Sequence, residues 1–254
     1  MSHLHIPDGI ISIWLWVLGY LVTGFYLFFF YKHLKKSKQH KKIAVVNVFT
    51  ALMLLSMSIP IPFILPYHIN LSALSGIILG PFYAGPAIFI VNIILAFVGH
   101  GGITMVGLNT FVLTIEALIA FLLFKALKKK FHNIFNAAFA STFIALVIST
   151  FLTIGIVYAG TQNLEFVTEH HHHEGEHNDH DHAEKAHEHL ENDHQDHAEE
   201  PLASTNQEKF DIKRFLMLIL LTGSLGWTLE SFLTGFIVNY LSKVKPDLLE
   251  NQGN

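Results

Sequence analysis

The hydrophobic pattern of the chain consists of long apolar runs separated by short stretches that are polar or contain glycine and proline. A bilayer core of about 30 Å takes about 20 residues of helix. Runs of that length are found at Ile10–Tyr31, Ile43–Leu65, Thr104–Leu127, Ile134–Gly160 and Phe215–Leu241. Two shorter apolar pieces, near Asn70–Gly80 and Ala84–Gly99, lie between the second and third runs. The pattern predicts an all-α polytopic membrane protein with about seven transmembrane segments.

The apolar pattern also predicts where helices are interrupted and how the chain divides into parts. Gly80-Pro81 and Gly85-Pro86 are expected to interrupt a helix, so the third segment is short. We predict three parts: residues 1–160 with an N-terminal metal-binding strand and six segments, 161–212 as an external loop, and 213–254 with the last helix and a tail. The first run is too long for a signal peptide and follows no basic residues, so we expect it to remain in the mature protein.

Composition agrees with a lipid environment. Of the 254 residues, 51% are hydrophobic and 14% are charged, whereas soluble domains are near a quarter charged. A soluble enzyme, a nucleic-acid binder and a disordered protein are therefore excluded as descriptions of the whole chain. The chain has no cysteine, which excludes disulfides, thiolate metal sites and a cysteine nucleophile.

The basic residues predict the direction of the segments. With seven spans, 12 of the 16 lysines and arginines fall on one side of the membrane. Lysine and arginine are enriched on the cytoplasmic side of a membrane. We therefore expect a protein of the plasma (inner) membrane whose C-terminus is cytoplasmic. The N-terminus, the loops around His68 and His100, and a histidine-rich segment are then all outside.

The histidine tract, defined as residues 170–197, is the most unusual segment. It contains 11 of the chain's 18 histidines, interleaved with aspartate and glutamate. Its histidines are His170, His171, His172, His173, His177, His180, His182, His187, His189, His194 and His197. Such a composition cannot form a core, so we expect a disordered loop that collects metal ions weakly, or else an inert acidic linker. The match of residues 173–177 to HExxH is attributed to chance, because that motif needs a buried helix.

Three further places on the outer side offer nitrogen ligands. His3 and His5 lie close to an α-amine, which belongs to Met1 or, if Met1 is removed, to Ser2. Such donors suit nickel, cobalt, copper and zinc rather than magnesium or calcium. His68 and His100 are also candidate ligands. The competing interpretations are a solvated tail, an interfacial histidine bonded to a carbonyl, and a plain glycine turn.

Two acids, Glu116 and Glu230, lie inside apolar runs, where a carboxylate is costly unless it is protonated, paired or facing a cavity. They could contact a partner subunit, couple to protons or bond a neighbouring helix.

The chain has no phosphate-binding GxxxxGK[ST] loop. A membrane protein that collects metal ions outside and lacks this loop is expected to take the energy for their transport from a partner protein.

Several segments resemble a known family. His5-Ile6-Pro7-Asp8-Gly9 is similar to the N-terminal signature of the substrate-binding membrane subunits (S components) of cobalt and nickel energy-coupling factor transporters, which are ABC-type. Residues 68–81 resemble the family's internal segment, in which a histidine precedes Leu-Gly-Pro by the same interval. Residues 101–109 and the C-terminal Pro246-Asp247-Leu248-Leu249 resemble further parts of the family. The resemblance covers most of the chain outside the histidine tract.

The resemblance implies that an amine, an amide nitrogen, the signature histidine and the internal histidine hold the metal, which carries over to His5 and His68. In the family pattern the signature histidine is the second residue, whereas here it is the fifth. Either His3 and the amine form the chelate and His5 assists, or His3 replaces the amine. An aspartate is expected where this chain has His100, and a third nitrogen there could shift preference toward zinc.

These observations predict a substrate-capture subunit for nickel or cobalt, with zinc as a further option, and no enzyme activity of its own. The resemblance implies a transmembrane coupling subunit and cytoplasmic ATPase subunits as partners, and a small accessory membrane subunit is compatible with it. No nucleic-acid partner and no cofactor besides the transported metal are expected. The alternatives are a self-sufficient secondary zinc transporter, a membrane metalloenzyme, and a metal sensor or scaffold without transport.

Overall fold

The computed structural model of the protein describes residues 12–36, 40–58, 61–62, 66–99, 101–161 and 212–250. The helices are α1 (Ile13–Lys36), α2 (His40–Ser58), α3 (Ser72–Leu79), α4 (Pro81–Phe97), α5 (Val106–Lys130), α6 (Ile134–Thr161), α7 (Ile212–Val244) and α8 (Asp247–Glu250). A 3-10 turn, Ile103–Met105, precedes α5, and the two-residue strands β1 (Ile61–Pro62) and β2 (Pro66–Tyr67) follow α2. The fold class is all-α, as the hydrophobic pattern predicts.

Three helices within the described residues are long and apolar enough to cross a membrane. Their spans are Ile13–Lys35, Ile103–Lys130 and Ile134–Gly160. Shorter apolar stretches, Ile43–Ser58 and Pro81–Phe97, form most of α2 and all of α4. Many large apolar side chains face outward, including Trp14, Leu21 and Phe25 of α1. An outer surface of this kind suits lipid rather than water, and the chain is a polytopic membrane protein.

Helix α5 lies at the centre of the fold. It packs against α1, α3, α4 and α6, while α7 packs mainly against α6. The short helix α3 is the most enclosed element, with seven of its eight residues buried. Small residues let it lie close to α5, because a Cβ placed on Gly76 would collide with the backbone of Ala117. The central position of α3 is therefore fixed by backbone contact.

The predicted break at Gly80-Pro81 is confirmed. Gly80 has a φ of 78°, which favours glycine, and Pro81 is the first residue of α4, where a missing N–H costs nothing. The second predicted break, at Gly85-Pro86, is wrong, because α4 continues through Pro86. Sequence pattern therefore places the start of this helix several residues late.

Helix α2 is shorter than its apolar run predicts. The run continues to Leu65, whereas α2 ends at Ser58 and the chain forms the β1–β2 pairing. Pro60 and Pro62 explain the difference, because a residue before proline avoids helical geometry. The pairing joins Ile61 to Tyr67 and Pro62 to Pro66, and it leads the chain directly to His68.

Candidate metal centre

His68 lies where the chain re-enters the helical core. It follows β2 and precedes the buried Asn70 by two residues. The side chain is half-buried, and its Nδ1 atom is fully shielded from solvent. His68 therefore lies neither in a solvated loop nor inside a helix. In such an intermediate position an ionisable side chain can be accessible and also held in place.

The turn formed by Asn70, Leu71 and Ser72 connects His68 to α3. Leu71 has a φ of 60°, a left-handed conformation that costs a non-glycine residue roughly 1–2 kcal/mol. The Oδ1 atom of Asn70 accepts the N–H of Ser72 at 3.2 Å, and the N–H of Ser75 donates to the carbonyl of Leu71 at 2.9 Å. All three turn residues are buried. The unusual backbone is thus held by local hydrogen bonds and by the burial of the Leu71 side chain.

Glu230 of α7 accepts hydrogen bonds from the backbone of this turn. Its Oε1 atom lies 3.1 Å from the amide nitrogen of Leu71, and its Oε2 atom lies 3.5 Å from that of Asn70. These N–H groups lie at the N-terminal end of α3, where the helix dipole favours a negative charge. The first turn of α3 contains no acidic residue of its own. Glu230 supplies that acceptor from a helix 160 positions further along the chain.

Glu116 of α5 binds the same turn through side chains. Its Oε1 atom accepts a hydrogen bond from the Nδ2 group of Asn70 at 3.4 Å and one from the hydroxyl of Ser72. Both glutamates are fully buried. Of the three roles considered for these acids, the structure shows bonding to a neighbouring element, and that element is the turn that follows His68.

Most of the predicted ligands lie outside the described residues. This applies to Met1, Ser2, His3, His5 and His100, and to all eleven histidines of the histidine tract. The glycines that flank position 100, Gly99 and Gly101, have φ angles of 85° and 91°, as a tight turn requires. Of the predicted site residues, His68 is the one whose surroundings the structure describes.

Within the described ranges, no three histidine, aspartate or glutamate side chains are grouped closely enough to hold a metal ion. The polar residues that do meet at the turn after His68 are Asn70, Ser72, Glu116 and Glu230. Sequence reasoning did not single out Asn70 or Ser72. They could have been found from their positions two and four residues after His68. A polar residue that lies close to a candidate metal ligand in an apolar segment can hold that ligand in place.

A cavity separate from His68 lies between α1, α4 and α5. It has a volume of about 320 Å³, and its walls include Val22, Tyr26, Phe82 and Phe111. The hydroxyl of Thr114 in its wall is buried and has no hydrogen-bond partner. An almost entirely apolar lining lacks the ligands that a divalent ion requires. This cavity is therefore not the candidate metal site.

Comparison with protein families gives one match that spans nearly the whole chain. The family described as the cobalt uptake substrate-specific transmembrane region, CbiM, matches residues 5–248. The matched range includes His5, His68 and the turn that Glu116 and Glu230 contact. No curated protein sequence matches the chain.

Two solved structures share the fold. One is described as a transition metal transporter, with a TM-score of 0.65, 16% identity and 97% of each chain covered. The other is described as a truncated transition metal transporter, with a TM-score of 0.64 and 15% identity, covering 95% of this chain and 99% of that one. At these identities the likeness concerns the arrangement of the helices.

Proposed function

Because the chain belongs to the family of cobalt uptake substrate-specific transmembrane regions, we propose that it is the substrate-capture subunit of an ATP-driven uptake transporter for a divalent transition metal. The ion is nickel or cobalt, with zinc as the alternative. Its partners are a transmembrane coupling subunit and cytoplasmic ATPases, with a small accessory membrane subunit as a further partner. The protein itself is a transport component rather than an enzyme.

The proposed metal site combines His68 with the N-terminal segment. His5 and either His3 or the α-amine complete a nitrogen-rich set of the kind that nickel, cobalt and zinc accept. The observation that carries this proposal is the position of His68, two residues before a fully buried turn that two glutamates hold. A ligand on such a support needs little ordering when the ion arrives. His100 is an additional ligand in the zinc version of the site.

The histidine tract supplies the ion in this scheme. It lies outside the cell with the N-terminus, as the distribution of lysine and arginine predicts. Its eleven histidines raise the local ion concentration without forming a defined site. Partner-driven reorientation of the loaded subunit then delivers the ion to the cytoplasm.

The contacts of the buried acids weigh against a self-sufficient secondary transporter. Such a carrier would need ligands in the middle of the membrane, and Glu116 and Glu230 are the acids that the apolar runs offer there. Both instead accept hydrogen bonds from the turn that follows His68. These contacts assign the two carboxylates to holding the turn, so neither has to be explained as a ligand for an ion in the middle of the membrane.

Metal binding tests the site directly. The parent protein is the full-length chain in which the eleven tract histidines are replaced by glutamine, so that weak tract binding does not mask one site. Calorimetry with Ni(II), Co(II) and Zn(II) should give one tight ion per chain, lost in His68→Ala. The matched control is His132→Ala, an exposed histidine between α5 and α6, which should bind like the parent. Unchanged binding in His68→Ala would reject His68 as a ligand.

Transport tests the partners. Uptake of radiolabelled metal is measured in cells with and without the coupling subunit and ATPases, each expressing the same amount of this chain. The proposal expects uptake above background with the partners present and its loss without them. Undiminished uptake without them would point to a self-sufficient carrier.

A further inference from the structure

Two carboxylates from different helices meet at one three-residue turn. Glu230 accepts the backbone N–H groups of Leu71 and Asn70, and Glu116 accepts the side-chain donors of Asn70 and Ser72. Asn70, Ser72 and both glutamates are fully buried. Together the two acids bind every residue of the turn, through both its backbone and its side chains.

The two glutamates are not needed to hold helix α3 in place. Helix α3 is already fixed by the backbone contact of Gly76 with Ala117 and by its apolar packing. Placing two carboxylates in an apolar interior is costly unless each finds strong donors. What the acids add is a defined backbone position for the turn that begins two residues after His68. Two residues span at most about 7 Å, so the position of the turn limits where the backbone of His68 can lie.

We propose that Glu230 and Glu116 are positioning residues for the metal site, and that they set its affinity and its preference among divalent ions. This inference rests on the proposed role of His68 as a ligand. The glutamates do not touch the ion. They fix the Asn70–Ser72 turn, and the turn fixes the direction from which His68 presents its ring nitrogen. An imidazole held in one direction favours ions whose ligand geometry matches it.

The two glutamates act differently, which makes the inference testable. Glu230 uses both of its oxygens, one for each backbone N–H. Glutamine has only one acceptor oxygen, so Glu230→Gln would place an NH₂ group against an N–H donor. Glu116 receives both of its turn donors on one oxygen, Oε1. Glu116→Gln can keep an acceptor oxygen in that place, so it should disturb the turn less than Glu230→Gln does.

The test uses the full-length chain with the tract histidines replaced by glutamine. Glu230→Gln is compared with Glu116→Gln and with the control Thr234→Val. Thr234 lies one turn further along α7, and its buried hydroxyl has no hydrogen-bond partner. The measurements are the Kd values for Ni(II), Co(II) and Zn(II), the visible absorption of the Co(II) complex, and the Tm without metal. The absorption spectrum reports ligand geometry, which a purely structural role would leave unchanged.

We expect Glu230→Gln to weaken binding of the preferred ion by on the order of tenfold or more and to alter the Co(II) spectrum. Thr234→Val should resemble the parent, and Glu116→Gln should weaken binding less than Glu230→Gln does, because it keeps one acceptor oxygen. If Glu230→Gln does not fold, Asn70→Ala breaks the link to Glu116 from the other side. It should weaken binding and change the spectrum in the same direction.

The contrary results separate the inference from the function on which it rests. If His68→Ala loses the ion while Glu230→Gln and Asn70→Ala keep the parent's Kd values and Co(II) spectrum, the positioning role is overturned and the ligand role stands. A lower Tm with unchanged binding overturns the positioning role in the same way. If His68→Ala itself binds like the parent, the proposed site fails, and the positioning role fails with it.

Discussion

The hydroxyl of Tyr26 in α1 donates a hydrogen bond to the carbonyl oxygen of Phe82 in α4, at 2.8 Å. That carbonyl is the one whose helical donor is missing, because the residue four positions later is Pro86 and has no N–H. The same hydroxyl also lies 2.8 Å from the carbonyl of Pro81. Gly85 leaves the space that the tyrosine ring needs, since a Cβ there would collide with it. Helix α4 can therefore run through Gly85-Pro86 because α1 completes its hydrogen bonding.

Removing this hydroxyl should destabilise the protein. Tyr26→Phe leaves the Phe82 carbonyl without a donor in an apolar setting, which costs about 1–3 kcal/mol of the free energy of unfolding. The measurement is thermal or denaturant unfolding of the purified protein in detergent. Tyr31→Phe is the control, because Tyr31 lies on the same helix with an exposed side chain. Equal stability of the two variants would show that Phe82 finds another donor.

The close approach of α3 to α5 makes a second prediction. A Cβ at Gly76 would collide with the backbone of Ala117, which cannot move aside as a flexible side chain can. Gly76→Ala should therefore destabilise by about 1–3 kcal/mol or more, as overpacking does. Gly155→Ala is the matched control, because nothing lies within 4 Å of its added Cβ. We expect Gly155→Ala to be neutral or slightly stabilising, and the reverse order of the two variants would contradict the contact.

The order of the helices is predictable from sequence, whereas some of their ends are not. Seven apolar segments correspond in order to α1 through α7, because apolar stretches are stable as helices in lipid or packed among other helices. The break expected at Gly85-Pro86 does not occur, because the donor that compensates for Pro86 comes from Tyr26, 60 positions earlier. A rule about proline within one helix cannot include a partner on another helix.

The same limit applies to the candidate site. His68 can be singled out because an ionisable residue at a membrane edge is rare. The role of the turn beside it cannot be predicted from sequence, since the hydrogen bond from Asn70 to Glu230 joins residues 160 positions apart. Glu116 and Glu230 are recognisable as unusual from sequence, but only the packing of α3 against α5 and α7 shows that they share one target.

A buried hydrogen bond between α6 and α7 gives a third prediction. The indole N–H of Trp227 donates to the hydroxyl of Thr150 at 3.2 Å, and that hydroxyl donates to the carbonyl of Leu146. Thr150→Val keeps the shape but leaves the indole donor unsatisfied, so it should cost about 1–3 kcal/mol of stability. Thr142→Val is the control on the same helix, because the buried Thr142 hydroxyl has no hydrogen-bond partner. A larger loss from Thr142→Val than from Thr150→Val would be inconsistent with this assignment.

The last prediction separates ion collection by the histidine tract from capture at His68. Replacing the eleven tract histidines by glutamine should lower uptake when metal is scarce and leave it unchanged when metal is abundant, because a collecting segment changes local concentration rather than the site. His68→Ala should lower uptake at both concentrations. Imidazoles protonate as the pH falls below about 6, and protonated imidazoles do not bind metal. The difference between the tract-substituted and unsubstituted chains should therefore shrink as the external pH falls from about 7 toward about 5, as measured by initial rates of radiolabelled uptake. A difference that persists at saturating metal would instead mean that the tract takes part in capture itself.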